Sequence, residues 1–194
     1  VVISVDDPRN KKIIDYVNNI TLKKIVIVND RNLGCGLAIK TAIDRGFSYG
    51  DRVIHLEDDI IVSNDALNYF EHALNAHEDN ERVIGVCGFS RSDGPVSQYS
   101  LVQDWYPWGW ATWKDRWKHL KAVWPDRNWD ANLKKYLMKY KYLTAKPTLA
   151  RTRHIGYEGI HVDIEMWKRK WDAFPWIGDR GRGVTHQLKE EDNE

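Results

Sequence analysis

Three consecutive carboxylates, Glu57-Asp58-Asp59, follow directly on the apolar run Val53-Ile54-His55-Leu56. Like charges this close raise one another's pKa, and a hard divalent cation, which seeks oxygen ligands, relieves the repulsion. Side chains alternate along an extended chain, so Glu57 and Asp59 are expected on one side and Asp58 on the other. Asp59 is the expected direct ligand of Mn²⁺ or Mg²⁺, with Glu57 and Asp58 supporting the metal, a ribose or a sugar. An arbitrary acidic triplet is more often a solvated turn; placement at the end of an apolar strand favours a site. A cation held there would stabilise the charge that builds on a departing diphosphate, the chemistry of a nucleotide-sugar donor.

Other residues extend this reading. Asn32-Leu33-Gly34-Cys35-Gly36 is a short glycine-bearing loop whose bare backbone can approach a ligand and open a helix toward an anion, or simply connect a strand to a helix. Aromatic rings stack on the apolar faces of sugars, so Trp105-Tyr106-Pro107-Trp108-Gly109-Trp110 suits a saccharide acceptor. Within it Tyr106 and Trp108 are the better ligand contacts. Trp110, also a candidate acceptor contact, shares helical spacing with Trp113 and Trp117 and a core reading with them. Sugar transfer with inversion needs one carboxylate to take the acceptor hydroxyl's proton. Asp130, Asp163 and Glu165 are the candidates, with Asp130 ranked first because it follows Trp129 in an irregular aromatic stretch. His186 is a candidate metal or phosphate ligand or an ordinary surface histidine.

These groups need elements to position them. Val1–Val5, Ile25–Val28, Val53–Leu56 and Val83–Cys87 read as strands, and Lys11–Asn19, Leu37–Phe47 and Ala66–Ala76 as helices between them. That alternation predicts an α/β layer with a mostly parallel central sheet, whose ligands bind beyond the strands' carboxyl ends. Asp6-Asp7, Asn29-Asp30 and the acidic triplet all fall there, which places Asp6 on the donor side. The second half is less regular: Leu133–Leu143 is an expected helix, Ile160, Ile164, Trp167 and Trp171 form one helical stripe, and residues 177–185 form a glycine-bearing loop.

With 194 residues the chain is expected to form a single domain, residues 1–103 serving the donor and metal and residues 104–194 the acceptor. A net charge of +1 offers no basic excess for displacing nucleic-acid counterions. Cys35 and Cys87 are too few for a disulfide framework, which fits a cytoplasmic setting, with a lumenal catalytic domain cut from a larger protein as the alternative. No segment reads as a membrane span.

The order of Asn32-Leu33-Gly34-Cys35-Gly36, Leu56-Glu57-Asp58-Asp59 and Asp104–Trp110 resembles the N-acetylglucosaminyltransferase I type of glycosyltransferase. Gly109–Trp117 is closer to related bacterial and viral enzymes, and Val123-Trp124-Pro125, Trp129-Asp130, Pro147, Arg151-Thr152, Ile155-Gly156 and Gly159 continue the likeness. The resemblance implies a GT-A (Rossmann-like) fold and a metal-dependent, inverting transferase using a nucleoside diphosphate donor, UDP-sugar favoured, and a saccharide or glycan acceptor. By position, Asp59 would coordinate the metal, Asp130 would be the base, and the loop around Arg151–Gly159 would close over the donor diphosphate. The family pattern has a strand–helix unit before Val1–Val5 that is absent here, Ala131 stands where a second acid is frequent, and Ala150 replaces a serine. The segment Ile177–His186 resembles the bacterial group's C-terminal region, in which Asp163 would hold the acid's place. The alternatives are a sugar-phosphate nucleotidyltransferase, which calls for a basic glycine-rich loop not seen near the start, and a non-catalytic carbohydrate-binding domain, which leaves the three carboxylates unexplained.

Overall fold

The computed structural model describes residues 1–125, 128–156, 165, 174–178 and 185–189. The first half follows the hydrophobic pattern closely: β1 (Val2–Val5), α1 (Lys11–Asn19), β2 (Ile25–Val28), α2 (Cys35–Gly46), β3 (Arg52–His55), β4 (Ile60–Val62), α3 (Ala66–Ala76) and β5 (Val83–Cys87). The side chain of Asn10 caps α1 by accepting from the Ile13 amide at 3.2 Å, satisfying one of the donors a helix start leaves over. Beyond β5 come β6 (Gln98–Val102), β7 (Trp110–Trp113), α4 (Lys114–Ala122), α5 (Trp129–Lys139), β8 (Leu143–Pro147), β9 (Thr152–His154) and β10 (Gln187–Leu188).

The main sheet has six strands in the order β10-β6-β8-β5-β7-β3. It is mixed, not mostly parallel: β10–β6 and β5–β8 are parallel, whereas β6–β8, β5–β7 and β3–β7 are antiparallel. Two reversals are the reason: β7 runs between β5 and β3 in the opposite direction to both, and β6, with β10 beside it, runs opposite to β8. Two small sheets complete the set, parallel β1–β2 and antiparallel β4–β9.

Each face of the main sheet has its own core. Ile39, Ile43 and Phe47 of the α2 region, Trp117 and Leu120 of α4, and Leu133 and Leu137 of α5 pack with Ile84, Cys87, Trp105 and Trp110. On the other face Tyr69, Phe70, Ala73 and Leu74 of α3 pack with Val83, Val86, Tyr99, Ala111 and Trp113. A register shift between Val83 and Gly85 sets the facing of β5, so Val83 and Val86 share one face and Ile84 and Cys87 the other. Trp110 and Trp113 are buried as the core reading required, but on a strand and on opposite faces; their i, i+3 spacing is not helical.

Two indoles fasten α4 and its sequel to α2. The Trp117 Nε1–H donates to Asp44 Oδ1 at 2.7 Å, and the Trp124 Nε1–H to the Gly36 carbonyl at 2.9 Å. The expected helix at Leu133–Leu143 is real but starts and ends four residues earlier, at Trp129–Lys139, and Leu143 opens β8. The stripe from Ile160 to Trp171 lies outside the described residues, as does most of the loop at 177–185. Among the described residues no helix is long and apolar enough to cross a membrane.

Candidate active site

The acidic triplet caps β3 in a tight turn, closed by the Ile60 amide donating to the Glu57 carbonyl at 3.2 Å. The chain bends here instead of running extended, yet the expected sidedness holds: Glu57 and Asp59 are partly buried and Asp58 is exposed. Burial and the Asp59 charge push the Glu57 carboxyl up to about 7, with smaller contributions from Asp58 and Asp130. One step below, burial holds the His55 imidazole near 4, so β3 brings no positive charge of its own to the turn at neutral pH.

Asp59 is fixed from across the two-stranded β4–β9 sheet. Ile60 pairs with His154 in the register, the Ile155 amide donates to the Asp59 carbonyl at 2.8 Å, and His154 Nε2 lies 3.0 Å from Asp59 Oδ2. The other carboxylate oxygen, Oδ1, is buried and has no hydrogen-bond partner among the described residues. A buried, unpartnered carboxylate oxygen carries a desolvation penalty that a bound cation removes. With a cation bound, the histidine would be the outer partner that orients the carboxylate. Neither His154 nor its pairing with Asp59 was legible in the sequence, because only the β4–β9 register brings them together.

Gly156 covers the same carboxylate. A Cβ built on it would collide with Asp59 Oδ2 and touch His154 Cε1 at 3.0 Å. Gly156→Ala is therefore expected to displace the Asp59 side chain while the sheet and both cores stay intact. In a thermal-shift measurement the variant should melt within a few degrees of the parent but show reduced stabilisation by Mn²⁺ with UDP. Full retention of that stabilisation would show that Asp59's position is irrelevant to it.

The polar loop after β2 completes the near side. Asp6 accepts from Asn29 Nδ2 at 2.9 Å, the Leu33 amide at 2.9 Å and the Gly34 amide at 3.0 Å. Asn32 Oδ1 also accepts from the Gly34 amide, at 2.9 Å. Asp6 and Asn32 thus shape the loop through their side-chain oxygens. Gly34 takes φ +76°, a left-handed value that glycine adopts without penalty, and open space lies where its Cβ would be. Gly36 lies in the first turn of α2, where its carbonyl holds Trp124. Partial desolvation, then the charges of Glu57, Asp130 and Asp59, raise the Cys35 thiol, so the start of α2 looks onto the acidic turn and onto Asp130.

Asp130 sits in the first turn of α5, exposed, rather than in irregular chain. Its charge reaches both Glu57 and Cys35, so three elements, β3, α2 and α5, converge. Tyr106 and Trp108 are half-buried beside them, Trp108 stacking at 5.1 Å on the His154 ring that holds Asp59. Trp110 is 1 % exposed and packs on Trp105 at 5.5 Å, which fulfils its core reading and leaves no ring face for an acceptor.

Arg151 and His186 stand elsewhere, past the far end of β4. Arg151 is fully buried, its Nε 3.0 Å from Asp65 Oδ2, and His186 Nε2 is 3.6 Å from the same oxygen. With its guanidinium locked there, Arg151 supports the β4–β9 sheet instead of reaching a diphosphate. His186 has Tyr69, His72 and Asp65 around it and is not gathered with Asp59. Burial, then Arg151, hold its imidazole down near 4. Asp163 lies outside the described residues.

Residues 35–163 match the GNT-I family. The chain belongs to that family. The match runs from the start of α2 through the acidic turn, the tryptophan-rich strand and α5 to β9, and so includes Asp59, His154 and Asp130. The chain is also 28% identical over 117 residues to an alpha-1,3-mannosyl-glycoprotein 2-beta-N-acetylglucosaminyltransferase of Arabidopsis thaliana. That alignment covers 56% of this chain and 26% of the relative, so the likeness spans about a quarter of the relative's length. Among the described residues no cluster of three or more His, Cys, Asp or Glu side chains forms a self-sufficient metal cage.

Proposed function

We propose that this GNT-I family chain is the catalytic region of a GT-A glycosyltransferase that moves N-acetylglucosamine from UDP to a saccharide hydroxyl with inversion. The observation that carries the reading is the buried Oδ1 of Asp59, unpartnered among the described residues, near a helix start that the charges of Glu57, Asp59 and Asp130 reach. A helix N-terminus favours an anion, whereas carboxylates repel one. A diphosphate fits between them only if a divalent cation joins it to Asp59. Asp59 would hold Mn²⁺ or Mg²⁺, His154 would orient it, and the ion would neutralise charge on the leaving diphosphate.

The chain's own groups supply the rest. Gly34 and the first turn of α2 offer bare backbone for the diphosphate, and Glu57 and Asp58 face the sugar or ribose. Asp130, across from Glu57 on α5, takes the proton of the acceptor hydroxyl as that oxygen bonds to the anomeric carbon. The bond from the anomeric carbon to the diphosphate oxygen breaks, its electron pair leaving with UDP. Tyr106 and Trp108 provide the stacking floor on which the acceptor sugar rests.

Thermal shift tests the donor site. UDP with Mn²⁺ at a hundredfold excess over Kd should raise the melting temperature by about 5–10 °C. UDP with a chelator should do far less, and Asp59→Asn should lose the dependence on Mn²⁺. A full Mn²⁺-dependent shift in Asp59→Asn would remove Asp59 from the metal site. No shift with any nucleoside diphosphate would overturn the donor reading itself.

A further inference from the structure

Beside the stacking floor lies a cluster of cations that donor binding and proton transfer leave without a task. Lys134 on α5 and Lys146 on β8 share one carboxylate: Lys134 pairs with Asp104 Oδ1, and Lys146 Nζ is 3.2 Å from Asp104 Oδ2. Both ammonium groups also converge on the Tyr106 ring, at 4.9 Å and 5.8 Å from its centroid, and the Arg91 guanidinium carbon lies 5.3 Å from the same centroid. Two lysines dividing one acid leave a net positive charge within the cluster. Convergence of like charges is unfavourable unless an anion compensates it. Lys146 is mostly withdrawn from solvent, its side chain 17% exposed, so bulk water screens it poorly.

The position of the cluster says what the anion belongs to. Lys134 stands four residues after Asp130 on α5, hence on the same helix face and about 6 Å further along. The rings run the same way: Tyr106 lies 6.3 Å from Trp108, and Trp108 lies 5.1 Å from His154, with interplanar angles of 32° and 31°. A saccharide resting on Trp108 with its hydroxyl toward Asp130 would place a substituent of the same or the adjoining sugar over Tyr106. We propose that Lys134 and Lys146 form an acceptor subsite for an anionic group, a carboxylate or phosphate carried on the acceptor sugar. The inference rests on the glycosyltransferase reading and gives it a substrate class, acidic saccharides.

Three matched disaccharides test it on the protein with UDP and Mn²⁺ present: one ending in glucose, one in glucuronic acid and one in glucose 6-phosphate. Calorimetric affinities should favour at least one acidic form over the neutral one by about tenfold or more, with the preference shrinking as salt rises. Preference for the glucuronide identifies a uronic acid acceptor, and preference for the phosphate a phosphorylated one. Lys134→Gln and, as a second variant, Lys146→Gln should bring the ratio close to one, and Lys134→Arg should restore it. The variants' melting curves report whether each has folded.

Equal affinities in the parent protein, or a preference untouched in both folded Gln variants, would overturn the subsite and leave a salt-bridge network that merely holds α5 to β8. Mn²⁺-dependent binding of UDP is measured on the same samples. If it is present while the acidic preference is missing, the subsite alone falls; if UDP does not bind, the glycosyltransferase reading falls and takes the subsite with it.

Discussion

Asp130→Asn should lower turnover by about 10²- to 10⁴-fold, the range that a general base contributes, while Mn²⁺-dependent stabilisation by UDP persists. Asparagine keeps the shape of the side chain and cannot accept the hydroxyl proton. Asp130 is exposed in the first turn of α5 and bears no weight in either core, so the fold should be indifferent to the change. Its charge is felt by Glu57, which on the proposed reading would set it opposite the donor, on the side of the acceptor hydroxyl. The measurement is release of UDP from UDP-N-acetylglucosamine in the presence of a saccharide acceptor, with Asp163→Asn in parallel. Turnover intact in Asp130→Asn but abolished in Asp163→Asn would move the base to Asp163.

The second large effect is on stability. Arg151→Ala should destabilise the fold by about 3–5 kcal/mol, because it breaks a buried pair and leaves a charge behind. Arg151 donates to Asp65, to the Leu149 carbonyl and to the Val96 carbonyl, and its guanidinium carbon lies 5.5 Å from the Tyr69 ring centroid. Ser63 Oγ donates to the second Asp65 oxygen at 2.6 Å. The arginine backbone is bound too: its amide donates to the Gly88 carbonyl at 2.7 Å, and its carbonyl accepts from the Ser63 amide at 2.8 Å. Arg151 is thus the clamp between the end of β5 and the β4–β9 sheet beside which Asp59 and His154 meet. At about 2–4 °C per kcal/mol for a chain of this size, the melting temperature should fall by roughly 10 °C. A fall of under 2 °C would mean that the clamp is dispensable.

Arg151 also shows where sequence reasoning stops. Its place in a family-like segment drew it to the donor, but burial and partner geometry decide what an arginine does, and neither is written in its neighbours along the chain. Asp59 was legible because an apolar β-branched run points straight to the turn that follows it. The same directness gave α1 and α3 their observed limits and β2 and β5 theirs.

The second half was harder for a physical reason. Trp110 and Trp113 are both buried although they face opposite ways, so β7 shows no apolar–polar alternation, and the i, i+3 spacing imitates a helix. The helix α5 was found late by four residues because Trp129 and Asp130 carried an aromatic, irregular appearance. Gly156 lay in a segment the resemblance already marked, but its contact with Asp59, like the places of His154 and Lys134, came only from register and helix phase, properties of the folded chain. The sequence pattern predicts a sheet edge well and the contacts across it poorly.

The tryptophans of the core do more than fill space. Trp105, Trp124 and Trp129 form a run of touching indoles, with centroids 5.4 Å apart from Trp105 to Trp129 and 5.0 Å from Trp124 to Trp129, the latter pair only 18° from coplanar. Trp129 is the residue before Asp130. Chromophores packed this closely exchange excitation energy, so the near-ultraviolet dichroism and emission of the protein carry an optical signature of where α5 sits. The helix that carries Asp130 is wired to a built-in reporter, and its seating against the sheet can be followed with light and without a label.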